Sequence, residues 1–244
     1  MKVNIFIVTH KRAQIISTHR HVKGCVAVVS SDQADEYHKY NPGLELLVHP
    51  PVVGKAAKLQ WVLDQKISNP FFLDDDISAI GRTFVNPKNT NKLGKITPEL
   101  IREIIVETAH LSKECGAYLY GFPNQLKPMY YHFNQPFKVK GFMPGCCFGI
   151  LDGSKLFYDK KIVLLDDMFI SLLNVYYHRY CFRNERYAFQ FGPMFTTAGG
   201  QAEFRNLKTE AIETQILKDM FGRDIFGKQK DGSAFFERHF NLPF

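Results

Sequence analysis

The sequence predicts a single α/β domain built on a mostly parallel, Rossmann-like sheet flanked by helices. Three observations carry that expectation. Short apolar runs rich in β-branched residues recur through the first third, as strands buried on both faces require. Segments with helical spacing separate them, the pattern of crossover units in a parallel sheet. No internal repeat, low-complexity tract or linker divides the 244 residues, a length that one α/β domain fills.

In chain order, residues 3–8 (VNIFIV), 26–30 (VAVVS) and 44–48 (LELLV) are the first three expected strands. Residues 32–40 are polar and end at the turn Asn41-Pro42-Gly43. Gly54 opens a helix over 55–66, in which Ala56, Leu59, Val62 and Leu63 fall at helical spacing. Residues 70–73 (PFFL) form a fourth strand that runs straight into Asp74-Asp75-Asp76. A long polar loop is expected over 81–95. Thr97 then serves as N-cap, with Pro98 at the first helical position and Glu99 at the positive end of the dipole. Leu100, Ile101, Ile104, Ile105 and Leu111 make one apolar face, and Gly116 suits the stop. Residues 117–122, 146–151 and 162–165 are further expected strands, and Asp166-Asp167 is expected to cap a helix over 168–177. The aromatic run 182–191 reads as a strand or hairpin arm, 196–200 as a turn, and 207–221 as a last helix ending at Gly222.

Composition is that of an ordinary globular protein, 45% hydrophobic and 23% charged. Five cysteines, two of them adjacent and none in a C-x-x-C pair, argue against a disulfide framework or a zinc ribbon. The start does not fit a signal peptide, and no stretch reaches the roughly 18 apolar residues of a membrane span. The expectation is a soluble, cytoplasmic protein. Charge is unevenly placed within the net +7: residues 1–30 hold five Lys/Arg and no carboxylate, residues 31–80 four Lys and eight carboxylates, and residues 81–160 eleven basic and six acidic groups. An acidic block between basic ones suggests a carboxylate cluster that takes a cation, ringed by groups that attract phosphate; solvated surface charge is the alternative.

The strongest chemical signal is Asp74-Asp75-Asp76. Three consecutive carboxylates repel one another beside an apolar core, and a divalent cation such as Mg²⁺ or Mn²⁺ relieves that cost. They also fall beyond the carboxyl end of a strand, where open α/β sheets bind ligands. Alternation points Asp74 and Asp76 to one side. Thr9-His10-Lys11-Arg12 ends the first strand, where basic groups could meet a nucleotide's base or phosphates or simply be solvated. The helix start Gly54–Gln60, with Lys55 and Lys58, could meet the same nucleotide. Asp166-Asp167 offers a second acidic site, either an N-cap or a catalytic base. Basic residues interleave with aromatics over 127–142 and 176–186, a mixture that suits phosphate contact with base stacking, or else an aromatic core under solvated lysines.

These motifs together resemble GT-A-fold glycosyltransferases, clearly over 3–77 and in part over 141–170. They are similar in particular to the compact DNA-base glycosyltransferases of the base J and bacteriophage 5-hydroxymethylpyrimidine type. The resemblance implies a single domain over 1–244, with 1–80 the nucleotide-sugar half and 81–244 the acceptor and catalytic half. It implies a UDP-sugar donor, bound by Thr9, Lys11, Arg12, Lys58, Asp74, Asp75 and Arg205. It implies Mn²⁺ or Mg²⁺ on Asp76 and Asp74, with His239 a candidate third ligand. Asp167, with Asp166 beside it, would deprotonate the acceptor hydroxyl, and Thr196–Gln201 would be a loop closing over the donor. The implied acceptor is double-stranded DNA with a flipped, hydroxymethylated base, held by Lys127, Lys138, Lys140, Arg179 and Arg183. Such an enzyme would work without a membrane, as a monomer or weak oligomer, in the cytoplasm of an infected bacterium. Lys58 stands where many such enzymes carry Arg. Two rivals stay open: a glycosyltransferase of the same fold with a glycan or protein acceptor, and a non-catalytic nucleic-acid-binding protein.

Overall fold

The computed structural model of the chain describes residues 1–85, 96–192, 206–227 and 240–242. The first half lays down β1 (Asn4–Val8), β2 (Cys25–Ser30), α1 (Ala34–Tyr40), β3 (Glu45–His49), α2 (Gly54–Asp64) and β4 (Pro70–Asp74). The second adds β5 (Ile77–Arg82), α3 (Pro98–Glu114), β6 (Leu119–Gly121), β7 (Phe137–Lys138) and β8 (Cys147–Ile150). Then follow α4 (Asp166–His178), β9 (Cys181–Asn184), β10 (Tyr187–Phe191) and α5 (Leu207–Phe221). Among the described residues eight strands make one sheet in the order β3-β2-β1-β4-β8-β6-β9-β7, and β5 pairs with β10 in a second, two-stranded one. Strands β3, β2, β1 and β4 are mutually parallel, as are β6 and β9; β8 is antiparallel to both of its neighbours.

Alternation along the central strands sorts their side chains onto two helical layers. Ile5, Ile7, Ala27, Val29, Phe71 and Leu73 pack with Tyr37 of α1 and with Ile101, Ile104 and Ile105 of α3. Phe6, Val8, Val28 and Phe72 pack with Ala56, Leu59 and Val62 of α2 and with Phe169 and Ile170 of α4. Both faces are covered, so these strands read as unbroken apolar runs. Each such buried side chain contributes about 1.5–3 kcal/mol. From β1 the chain steps outward to β2 and β3, then returns to place β4 on the other side of β1. Strand order therefore reverses between β1 and β4, and the crevice beyond their carboxyl ends is where such sheets bind ligands.

Capping at α3 follows expectation: the Thr97 hydroxyl accepts from Leu100 N–H at 3.2 Å. The last helix has the expected bounds, with Asn206 accepting from Thr209 N–H at 2.9 Å. Four expectations need correction. Residues 162–165 are not a strand. The buried Glu213 of α5 accepts from the N–H groups of Val163 at 2.8 Å, Leu164 at 3.0 Å and Leu165 at 2.9 Å, so the donors that a ladder would use turn to one carboxylate. Asp166 and Asp167 do not cap α4; Leu165 is the N-cap, and the aspartates are the helix's first two residues, beside the positive dipole end. The expected loop over 81–95 begins later, because β5 extends to Arg82, and 86–95 lie outside the described residues. The aromatic run 182–191 belongs to two strands in two sheets, with Glu185 and Arg186 between them. No helix among the described residues is long and apolar enough to cross a membrane.

Glu213 supports a first prediction. Glu213→Ala strands buried N–H groups at about 1–3 kcal/mol each, so a loss of about 3 kcal/mol or more is expected. That is a fall of roughly 6–12 °C in Tm, read by calorimetry; a fall under about 2 °C would mean that water replaces the carboxylate.

Candidate active site

Val8 and Asp74 are paired across β1 and β4, so the segments after them leave the sheet side by side. Asp75 turns into the β1 loop and is buried. Its Oδ2 accepts from the Thr9 hydroxyl at 2.6 Å and its Oδ1 from Arg12 Nη1 at 2.9 Å. Tyr37 OH lies 2.6 Å from the Thr9 hydroxyl and accepts from Arg12 N–H at 3.1 Å. The acidic turn is clamped from the other side. The Thr18 hydroxyl donates to Asp74 O at 2.6 Å, and Ser17 N–H donates to Asp75 O at 2.9 Å. Burial works against the charge of Arg12, but Asp75 outweighs it, and the net effect raises the guanidinium's pKa. Burial raises the Asp75 carboxyl too, in spite of Thr9 and Arg12. Asp76 is pushed up to about 6, by burial first and then by repulsion from Asp74 and Asp75.

Of the other residues expected at the donor, Lys11 lies on the surface with its backbone in the left-handed region (φ 53°) and its N–H donating to Gln33 Oε1 at 2.8 Å. Lys58 is only 4% exposed. It donates to Thr9 O and, at 3.4 Å, to Val28 O, and burial pulls it down to about 8. Its ammonium ties the ends of β1 and β2 together beneath the crevice, so it supports the floor. Arg205, His239 and Thr196–Gln201 lie outside the described residues.

Lys55, which with Lys58 was expected near the nucleotide, is the cation that joins the two acidic sites. Lys55 Nζ donates to Asp74 Oδ1 at 2.6 Å and to Gly145 O at 2.7 Å, and lies 4.0 Å from Asp166 Oδ2. Burial opposes its charge, yet Asp74 and Asp166 hold it firmly protonated. A lysine in the first turn of α2, where the dipole favours acids, was the available signal. Two glycines permit the approach. Gly54 has φ +83°, and a Cβ there would lie 2.8 Å from Val163 Cγ1; a Cβ on Gly145 would lie 2.9 Å from Asp167 Cβ. The half-buried Asp167 accepts from Met168 N–H at 2.8 Å and is pushed up to about 7 by burial and by Asp166.

Among the described residues Asp74, Asp75, Asp76, Asp166 and Asp167 lie about Lys55 and Arg12, more carboxyl groups than cations. Asp75 is consumed by Thr9 and Arg12, whereas Asp74 and Asp76 keep 33% and 35% of their side-chain surface exposed. Two half-exposed, hard oxygen donors with surplus negative charge fit one divalent cation. No group of three His, Cys, Asp or Glu converges to hold a metal among the described residues. Mg²⁺ commonly binds through one or two carboxylates and takes its remaining ligands from substrate phosphate and water.

A cleft of about 370 Å³ is lined by Tyr130, Tyr131, Phe142, Pro144, Arg183 and Glu185, among others. Lys127 and Lys138, expected at nucleic acid, also line it. Arg183 Nε donates to Glu185 Oε1, its Nη1 donates to Phe142 O at 2.7 Å, and Lys138 Nζ lies 3.7 Å from Glu185 Oε2. Lys127 sits over the Tyr130 ring, 5.5 Å from its centroid. Lys140 follows β7 on the surface outside this lining. Arg179 is elsewhere, at the carboxyl end of α4, whose amino end carries Asp166. Thirteen residues of helix put it about 20 Å from that end.

A strand order that reverses over an acidic crevice is the arrangement of nucleotide-dependent α/β enzymes, and among these the family comparison specifies glycosyltransferases. Residues 3–190 match the family model of the TET-associated glycosyltransferases, and the chain belongs to that family. No curated protein matches the chain. Among solved structures, TarS of S. aureus is 11% identical with a TM-score of 0.47, over 78% of this chain and 59% of that one. The mannose-1-phosphate geranyltransferase of Thermus thermophilus is 12% identical with a TM-score of 0.33, over 78% and 58%. A CMP:2-keto-3-deoxy-manno-octonic acid synthetase solved with CTP is 11% identical with a TM-score of 0.33, over 89% and 100%. The chain therefore spans less than two thirds of the first two structures.

Proposed function

We propose that the protein transfers a sugar from a UDP-sugar to the hydroxymethyl oxygen of 5-hydroxymethylcytosine in DNA, with a divalent cation at Asp74 and Asp76. The observation that carries this reading is the acidic crevice itself, where Lys55 donates to Asp74 and lies 4.0 Å from Asp166, with Asp167 the next residue at the start of α4. The family's association with TET, as its name has it, supports a hydroxymethylcytosine acceptor. The crevice takes the nucleotide, with Arg12 beside its acidic floor and Lys11 at its rim. Asp167 receives the proton of the acceptor hydroxyl. The freed oxygen bonds to the anomeric carbon as the bond from that carbon to the diphosphate oxygen breaks. Asp74 and Asp76 would hold the divalent cation, which would supply positive charge to offset the departing diphosphate. Lys55 holds Asp74 and the Gly145 carbonyl in place, and its charge steadies the acidic pair. Lys127, Lys138 and Arg183 supply the positive field that a phosphodiester backbone meets, with Lys140 and Arg179 available to longer duplexes.

The test is a thermal-shift series with UDP and UDP-sugars, each with and without Mn²⁺ and with and without a hydroxymethylcytosine duplex. A UDP-dependent rise that needs Mn²⁺, and a further rise with the duplex, is expected. A response to UDP-sugar with none to duplex at moderate salt would move the acceptor to a glycan or protein. No response to any nucleotide would sink the reading.

A further inference from the structure

The cleft lined by Phe142 and Pro144 holds a group that neither the donor nor the transfer step uses: Glu185, buried at 7% exposure between β9 and β10. We propose that this cleft receives a cytosine-type base turned out of the duplex, and that Glu185 selects it by accepting from the exocyclic amine. The proposal rests on the reading of the chain as a DNA-base glycosyltransferase and names the residue that sets its base preference.

A volume of about 370 Å³ lies within the range of small-ligand pockets, about 300–1,000 Å³. Tyr130, Tyr131 and Phe142 offer flat faces of the kind on which an extruded base stacks. Tyr130 and its neighbour Met129 stand 56% and 79% exposed, so the apolar mouth is open to an incoming base. Glu185 is held at both backbone ends: its N–H donates to Pro136 O at 3.0 Å and its carbonyl accepts from the Thr83 hydroxyl. Arg183 fixes Oε1 and is itself fixed on Phe142 O, while Lys138 stands 3.7 Å from Oε2. A carboxylate has about four lone-pair positions, and these two cations leave room for one more donor. A carboxylate offers acceptors only. It therefore matches the N4 amine of cytosine and opposes the O4 carbonyl of uracil. One Glu against one Lys and one Arg leaves the trio net positive, so the phosphates beside the base are also attracted.

The position of the cleft ties it to the chemistry. Phe142 and Pro144 line it, and the next residue, Gly145, accepts from Lys55 and has Asp167 Cβ 2.9 Å from where its own Cβ would stand.

The experiment compares sugar transfer to duplexes carrying one 5-hydroxymethylcytosine or one 5-hydroxymethyluracil, with 2-aminopurine beside the modified base to report flipping. Wild-type protein is expected to favour the cytosine duplex, and Glu185→Gln to reduce that preference about tenfold or more, the scale of one base-edge contact. An ion pair that only holds β7 to β9 would alter Tm and leave the preference unchanged. Should Glu185→Gln not fold, Tyr130→Ala removes an exposed ring and is expected to weaken duplex capture, read by 2-aminopurine, about tenfold. Transfer to DNA with the preference intact in Glu185→Gln, or capture intact in Tyr130→Ala, overturns the cleft's role and leaves the DNA reading standing. Transfer to the free nucleosides alone would assign the cleft to a base outside DNA, and transfer to neither would remove both readings together.

Discussion

Asp167→Asn is expected to lower sugar transfer by about 10²–10⁴-fold, the contribution of a positioned general base, while the UDP-induced thermal shift stays within about a degree of wild type. The substitution keeps the shape of the side chain and its acceptor for Met168 N–H, and removes only the capacity to take a proton. A second readout follows from the environment of the carboxyl. Burial, and the charge of Asp166 next to it, push Asp167 up to about 7, where an unperturbed aspartate ionises near 3.8. A base works only when ionised, so transfer is expected to fall about tenfold for each pH unit below 7 and to level off above it. The sign is opposite for a group that must be protonated. Quenched-flow transfer from about pH 5.5 to 8.5, under saturating donor, separates the two. Wild-type rates in Asp167→Asn, or a rate that rises as pH falls, would remove Asp167 as the base.

The parts of this site that were legible from the sequence are those whose cause is local. β1, β2 and β4 announce themselves because both of their faces are covered, which forces unbroken apolar runs such as VNIFIV and PFFL. Asp74-Asp75-Asp76 stands out against one of those runs for the same reason. Thr97-Pro98-Glu99 declares the start of α3 through capping chemistry that needs no tertiary partner. What escaped is set by contacts distant in sequence. Residues 162–165 have strand composition, and only Glu213, 50 positions after Val163, turns their N–H groups away from a ladder. Lys55 reads as one lysine among several until the fold brings Asp74, Gly145 and Asp166 around it. Lys58, less than one turn further along α2, has the same residue type and a different task, because its reach ends on the carbonyls of Thr9 and Val28. Glu185 was hidden in a run whose aromatic content drew attention to its packing.

Lys55→Met is expected to be the most damaging single change to stability, with Tm falling by roughly 6–20 °C. Removing one partner of a buried ion pair leaves the other charge unmatched and costs about 3–5 kcal/mol. In a chain of this size each kcal/mol shifts Tm by about 2–4 °C. Here the loss falls on both acidic sites, since Asp74 loses a 2.6 Å partner and Asp166 a cation at 4.0 Å. Methionine keeps most of the apolar stem, so packing alone does not produce the effect. The companion variant Lys55→Met/Asp74→Asn removes one of the stranded charges and is expected to recover part of the lost stability; the cycle between the two positions measures their coupling. Divalent cation gives the discriminating arm. If Asp74 belongs to a cation site, Mn²⁺ replaces part of the missing positive charge, and its stabilising shift should be larger in Lys55→Met than in wild type. In the double variant, where Asp74 carries no charge, that gain should vanish. A loss of less than about 2 °C in Lys55→Met would show that water screens the pair and that Lys55 does not organise the site. A Mn²⁺ shift equal in all three proteins would take Asp74 out of the cation site.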